Sequence, residues 1–245
     1  MTTDGPYYRR DLARVHHLGF AHHAERCAPG ILEILRPVRE RDGLVVEIGC
    51  GSGLLTRHLV EAGHRVIATD ASPAMLDLAA DFVGDAATIR RLTLPDDPIP
   101  PADAIVGVGH ALNYLPDEDA IDRALAAIAG ALLPGGIVAL DLCDLDYAEA
   151  LGDQPSFGRA GPDWAIVTER SRPAPGRFVR TMAIFTRNDD GTWRRDDERH
   201  VNVLVDVSRV PELLAAHDVD VRIETSFGAE RLPAGLRAIV GARRA

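Results

Sequence analysis

The sequence predicts a doubly wound α/β fold: a mostly parallel sheet with an antiparallel last strand, helices on both faces, and an antiparallel β insertion. Three observations carry this. Between residues 44 and 142 short apolar runs alternate with amphipathic helical segments. The first run, Val45-Val46-Glu47-Ile48, passes straight into Gly49-Cys50-Gly51-Ser52-Gly53 and then Leu54-Leu55, a strand, turn and helix in sequence. Beyond Gly152 the apolar period changes to two, as in Phe178, Met182 and Ile184.

The elements follow in order. Residues 7–40 read as helical, with a patchy apolar face (Leu12, Val15, Leu18, Phe20) and a stronger one (Ile31, Leu32, Ile34, Leu35) after Pro29-Gly30. Leu44–Ile48 is a buried strand, Leu54–Ala62 a helix and Arg65–Thr69 a second strand. Pro73 suits the first turn of a helix ending near Phe82. Thr88–Leu92 and Ala104–Val108 are strands, and Asp117–Leu132 is an amphipathic helix stopped by Pro134-Gly135-Gly136 before the strand Ile137–Leu142. Residues 152–162 read as a Gly/Pro-rich loop, and Trp164–Arg170, Arg177–Arg187 and Trp193–Val205 as three strands with a turn at Asn188-Asp189-Asp190-Gly191. Val210–Ala216 returns to helix, and Val219–Thr225 with Leu236–Ala242 closes the sheet. The expected organisation is a helical arm or lid (1–40), a ligand-binding core (41–150), the antiparallel insertion (151–206) and a C-terminal helix with a strand pair (207–245).

The composition narrows the function. A length of 245 residues fits one α/β domain with an embellishment. The net charge of −10 works against attraction to nucleic acid or anionic membrane, so neither is an expected partner. The chain has no Lys, which removes Schiff-base and Lys-base chemistry. Three cysteines (Cys27, Cys50, Cys143) without C-x-x-C spacing predict no metal site and no disulfide framework, as in a reducing cytoplasm. The polar start, Met1 to Arg10, predicts no signal peptide, so a cytoplasmic location is expected.

The glycine turn selects the ligand. A dinucleotide fingerprint places its third glycine at position 54 when counted from Gly49, but here that position is Leu54 and the third glycine is Gly53. The spacing favours a nucleoside ligand other than NAD. Asp70, about twenty residues downstream of the turn, ends the second strand in Ala68-Thr69-Asp70-Ala71-Ser72-Pro73-Ala74-Met75. With Asp103-Ala104-Ile105-Val106 and Leu132-Leu133-Pro134-Gly135-Gly136, the pattern resembles the class I S-adenosylmethionine-dependent methyltransferases of small molecules, which have a Rossmann-like core. The resemblance covers residues 44–142. It implies S-adenosylmethionine as cofactor, with Glu47 orienting the methionine end beside Gly49, Gly51 and Gly53. Asp70 would hold the ribose hydroxyls, flanked by Ala71 and Met75, and Thr93 and Leu94 would lie against the adenine. Cys50 sits within the turn and is counted among these contacts, although packing is its plainer role. An acidic residue common in the family near Thr93 is missing; Arg90 and Arg91 precede it.

The segment Gly107-Val108-Gly109-His110-Ala111-Leu112-Asn113-Tyr114 leaves a parallel strand at its carboxyl end, where ligands bind in open α/β sheets. Gly109 and His110 are therefore expected beside the transferable methyl. His110 is a candidate base or cofactor contact, with loop closure as the plainer alternative. The arm segment Tyr7 to Phe20 resembles the helical covers of small-molecule methyltransferases, with Tyr8 as a cofactor contact and His16 as a second candidate base. His22 and His23 read as solvent-exposed. Asn113 and Tyr114 are expected to shape the pocket. Trp164, Phe178, Phe185, Trp193 and His200 of the insertion are expected to form a pocket wall or a homodimer contact. Methyl transfer from a sulfonium needs alignment more than a covalent nucleophile, so a sparse catalytic signature suits it. The Asn/Asp-Pro-Pro-aromatic signature of nucleic-acid amino methylation is missing after the fourth strand, which points to a small-molecule acceptor. An NAD-dependent oxidoreductase is disfavoured by Leu54 and the final strand pair; a non-catalytic sensor of the same nucleoside stays open.

Overall fold

The computed structural model describes residues 7–152 and 156–245. A helical arm, α1 (Arg10–Gly19), α2 (His22–Ile34) and α3 (Arg36–Glu40), leads into β1 (Leu44–Ile48). The chain continues through α4 (Leu54–Glu61), β2 (Arg65–Asp70), α5 (Pro73–Val83), β3 (Thr88–Arg91), β4 (Ala102–Gly107), α6 (Glu118–Ala131) and β5 (Leu132–Cys143). After the short α7 (Tyr147–Ala150) come β6 (Ser156–Gly161), β7 (Trp164–Ala174), β8 (Arg177–Arg187) and β9 (Trp193–Val203). The chain then closes with α8 (Val210–Ala215), β10 (Val219–Glu224) and β11 (Leu236–Arg243).

The main sheet has the order β10-β11-β5-β4-β1-β2-β3, and only β11 runs against its neighbours. The core strands alternate between its two faces. Val46, Ile48 and Ile105 pack with Ile121, Leu125 and Ile128 of α6 and Leu214 of α8. Val45, Ala104 and Val106 pack with Ile31 and Leu35 near α2 and Leu55 and Leu59 of α4. A period of two with both faces apolar is what a sheet covered by helices requires. Two helix starts are fixed locally: Ser72 accepts the Met75 N–H, and Asp117 accepts the Ala120 N–H.

The second sheet is a β6-β7-β8-β9 meander. Its inner face (Trp164, Ile166, Met182, Ile184) packs on Leu12 and Val15 of α1, so arm and insertion share one apolar cluster. Two sequence expectations change here. The loop expected at 152–162 lies outside the described residues only at 153–155, and Ser156–Gly161 is a strand paired antiparallel with Trp164–Glu169. Its Gly and Ala residues hide the alternation, and backbone pairing overrides that weak pattern. The strand after α6 also starts early, at Leu132, which pairs with Ala102 before the register resumes at Ala104–Ile137. Pro134-Gly135-Gly136 therefore forms a bulge inside the strand instead of preceding it.

Candidate functional site

The β1 and β4 carboxyl ends adjoin where the strand order reverses, so the turns after them face one crevice. After β1, Gly49, Gly51 and Gly53 take φ of 66°, 55° and 82°, a left-handed run that side chains resist. A Cβ on Gly49 would stand 2.5 Å from Ala111 Cβ, which closes the turn onto the β4 loop. Asp70 braces the same turn. Its Oδ2 accepts the Gly51 N–H at 2.9 Å and its Oδ1 the Ser72 N–H at 2.8 Å. Each oxygen keeps lone-pair capacity for a further donor, which suits vicinal hydroxyls. Burial raises the Asp70 carboxyl above its ordinary range, opposed by those two N–H groups.

Glu47 is buried and accepts the Thr56 hydroxyl at 2.6 Å. Burial pushes its carboxyl up to about 7, against the Thr56 hydrogen bond and with a smaller contribution from Asp70.

A cavity of about 450 Å³ runs along this turn. Gly49, Gly51, Asp70, Ala71 and Met75 line it on one side, Thr93, Leu94 and Gly109 on the other, and Tyr8 and His16 of the arm cover it. The Thr93 N–H is donated to Asp97 at 2.7 Å. The arm is fastened over the cavity at several points. Ser72 Oγ donates to the Tyr8 carbonyl at 2.7 Å, the Tyr8 and Tyr114 hydroxyls meet at 2.7 Å, and His17 Nδ1 lies 2.9 Å from Ser52 Oγ.

A second cavity of about 390 Å³ adjoins it and shares Tyr8, His16, Gly49, Gly51, Val108 and Gly109. Glu47, Cys50 and His110 also border it, and Phe157, Arg170, Phe178 and Arg180 of the insertion form its far wall. Of the insertion aromatics named from the sequence, Phe178 lines this cavity. Trp164 packs on the arm, the Phe185 ring lies under Arg195, and Trp193 is half exposed. His200 lies behind the wall, hydrogen-bonded to Glu198 at 2.8 Å and packed on Tyr7 and Tyr8.

Of the two candidate bases, His16 lines both cavities and His110 borders the second. His110 takes φ 51° and donates its N–H to Asp141 Oδ1 at 2.6 Å, while its ring stacks on Tyr114. Burial, then the positive Arg180, depresses His110 to about 3, and the same two causes bring His16 to about 3. Both imidazoles are neutral, and each Nδ1 is buried with no hydrogen-bond partner among the described residues.

Several site residues were not singled out from the sequence. Asp141, buried near the end of β5, accepts the N–H groups of both Gly109 and His110 and bonds His23 Nε2 at 2.9 Å. Burial opposes the His23 charge, but the bonds to Asp141 and Cys27 outweigh it and raise His23 to about 10. His23 is therefore a partly buried ion-pair partner of the buried Asp141, not the solvent-exposed side chain expected, because α2 turns that face onto β5. A carboxylate inside the apolar run Ile137–Leu142 was the readable signal for Asp141, as Arg180 between Phe178 and Met182 was for the far wall. Among the described residues no group of three or more His, Cys, Asp or Glu is placed to hold a metal. No helix there is long and apolar enough to cross a membrane.

Comparison with known proteins places these features in a family context. Residues 45–136 match a family profile described as a methyltransferase domain. An uncharacterized methyltransferase of Bacillus subtilis is 39% identical over 85 residues, 34% of this chain and 39% of that protein. A glycine N-methyltransferase of Rattus norvegicus is 32% identical over 129 residues, 45% of this chain and 44% of that protein. The chain thus spans less than half the length of these curated relatives. A sugar N-methyltransferase structure from Streptoalloteichus sp. superposes with a TM-score of 0.78 at 19% identity, covering 100% of this chain and 98% of that one. An S-adenosylmethionine-dependent methyltransferase from Clostridium acetobutylicum gives 0.78 at 15% identity, covering 95% and 98%. At these identities the superpositions establish the fold.

Proposed function

We propose that this chain, whose residues 45–136 form a methyltransferase domain of the class I S-adenosylmethionine-dependent type, methylates the amine nitrogen of a small molecule. The observation that carries the reading is the pair of adjoining cavities, which share the glycine turn and Gly109. The first holds the adenosine part of the cofactor, and the methionine end reaches the second, bordered by Glu47 and Cys50, where the acceptor lies in line with the sulfur–methyl bond. The nitrogen lone pair forms the new C–N bond, the sulfur–carbon pair stays on sulfur, and S-adenosylhomocysteine leaves. The charge on the new ammonium is released later as a proton to water.

Glu47, Gly49, Cys50, Gly51 and Gly53 surround the methionine end in this reading. Asp70, Ala71 and Met75 take the ribose, Thr93 and Leu94 the adenine, and Tyr8, Gly109 and His110 the cofactor's exposed side. A buried ionised Glu47 complements the methionine ammonium, and an Asp70 with spare lone pairs suits the ribose. His110 and His16 orient the acceptor by accepting its N–H. Their pKa near 3 suits that role better than holding a proton. Amine as the acceptor is supported by the names of the rat relative and the Streptoalloteichus neighbour, both N-methyltransferases.

The test is release of S-adenosylhomocysteine from S-adenosylmethionine in the presence of amine, hydroxyl and carboxylate metabolites. Turnover of an amine, with kcat at saturating S-adenosylmethionine falling at least about tenfold in His110→Ala, is the expected result. Cofactor binding without turnover of any acceptor would favour the sensor reading.

A further inference from the structure

Arg170 and Arg180 are directly opposed on β7 and β8. Like charges paired across an antiparallel ladder repel, so the arrangement works against the stability of the sheet. Both side chains line the second cavity. The carboxylates that commonly neutralise arginine are elsewhere. Arg180 Nη2 donates to the Tyr114 hydroxyl and, at 3.2 Å, to Asn202 Oδ1, both neutral. Arg170 lies 4.5 Å over the Phe157 ring. Neither arginine forms an ion pair among the described residues, and the Nε of each is buried without a hydrogen-bond partner. Nearby acidic groups are already engaged: Glu198 with His200 and the Tyr8 and Arg9 N–H groups, Asp141 with His23 and two backbone N–H groups. Guanidinium stays charged at any working pH and presents a fork that fits a carboxylate or phosphate.

We propose that Arg170 and Arg180 form a subsite for an anionic oxygen group of the acceptor, a carboxylate or phosphate, so that the substrate is an acidic small molecule. The proposal rests on the methyl-transfer reading and deepens it. The anion docks on the far wall of the second cavity, opposite the shared glycine edge, which fixes the acceptor end of the same molecule toward Gly109. The bound oxyanion supplies the counter-charge that the two strands lack. It also admits acidic metabolites and rejects neutral relatives of the same shape, because a neutral group would leave two partly buried cations, each with a buried Nε, without an anionic partner.

Calorimetric titration of the S-adenosylhomocysteine-loaded protein tests this with paired probes: malonate against malonamide, glucuronate against glucose, and inorganic phosphate. At least one anion is expected to bind saturably while its neutral partner does not. Carboxylate or phosphate preference then identifies which oxyanion the subsite takes. Arg170→Met, which among the described residues gives up the Phe157 contact and no side-chain hydrogen bond, is expected to weaken that binding at least tenfold. Arg180→Met is expected to do the same. Absence of binding by every anionic probe, or binding unchanged in both variants, overturns the proposal. Failure of the wild-type protein to bind S-adenosylhomocysteine at all is a separate result and overturns the methyl-transfer reading itself.

Discussion

At the end of β1 a carboxyl group is shut away from solvent with one side-chain donor, Thr56 Oγ1, against it among the described residues. Its folded value near 7 lies above the ordinary 4.5. The sign follows directly. Between those values the folded chain holds the proton more tightly than the unfolded chain, so Glu47 makes stability fall as pH rises from 4.5 to about 7. Above that range the ionised group costs up to about 3 kcal/mol. Glu47→Gln is therefore expected to raise the thermal midpoint of the ligand-free protein at pH 8, with little gain at pH 4. The same variant is expected to weaken S-adenosylmethionine binding at pH 8 and to abolish its strengthening between pH 6 and 8, as read by calorimetry. An unchanged affinity profile would separate Glu47 from the methionine ammonium. Glu47 was legible in the sequence because a charge inside Val45–Ile48 breaks an apolar strand immediately before the glycine turn. Arg180 broke a pattern in the same way, but its strand offered no turn or motif to say what the charge faced.

At the scale of elements, the arm depends on the insertion. Glu198 of β9 accepts the Tyr8 N–H at 2.9 Å and the Arg9 N–H at 2.8 Å. Arg194 pairs with Asp11, and Leu12 and Val15 pack on the inner face of the meander. The arm's cover over the cofactor cavity is thus set by a strand some 190 residues away in sequence (|i−j| = 190 for the Tyr8 bond). Glu198→Ala removes two charge-assisted acceptors and leaves His200 without its partner, a loss of about 2–3 kcal/mol of local order. The expected outcome is a several-fold rise in the S-adenosylmethionine dissociation constant and faster hydrogen exchange in α1, with β1 to β5 unaffected. Equal exchange in α1 would show that the remaining contacts, the Arg194–Asp11 pair and the apolar packing among them, hold the arm. Apart from the early start of β5 at Leu132, helix and strand boundaries of the core came out close to the sequence reading because Ser72, Asp117 and the glycines mark them locally. The strand at Ser156–Gly161 did not, since pairing with β7 creates it.

The whole molecule couples a parallel sheet to a separate meander through the cavity between them. A ligand that spans the glycine turn, Asp70 and the arm ties these parts together, so it stabilises the chain by mass action. At one hundred times its dissociation constant S-adenosylmethionine contributes about 2.7 kcal/mol. For a chain of this size that is a rise of about 5–10 °C in thermal midpoint. NAD at the same concentration is expected to leave the midpoint unchanged, since Leu54 stands where its fingerprint needs glycine. A comparable shift with NAD would return the dinucleotide reading. The glycine-turn cavity was determined by the sequence itself: strand, left-handed glycines, helix start and acidic strand end lie within about thirty residues, and local sterics dictate each step. The second cavity was decided by tertiary structure. His23, Arg170 and Arg180 come from α2, β7 and β8, and only sheet register and helix packing bring them to one cavity, with Asp141 of β5 bonded to His23 behind it.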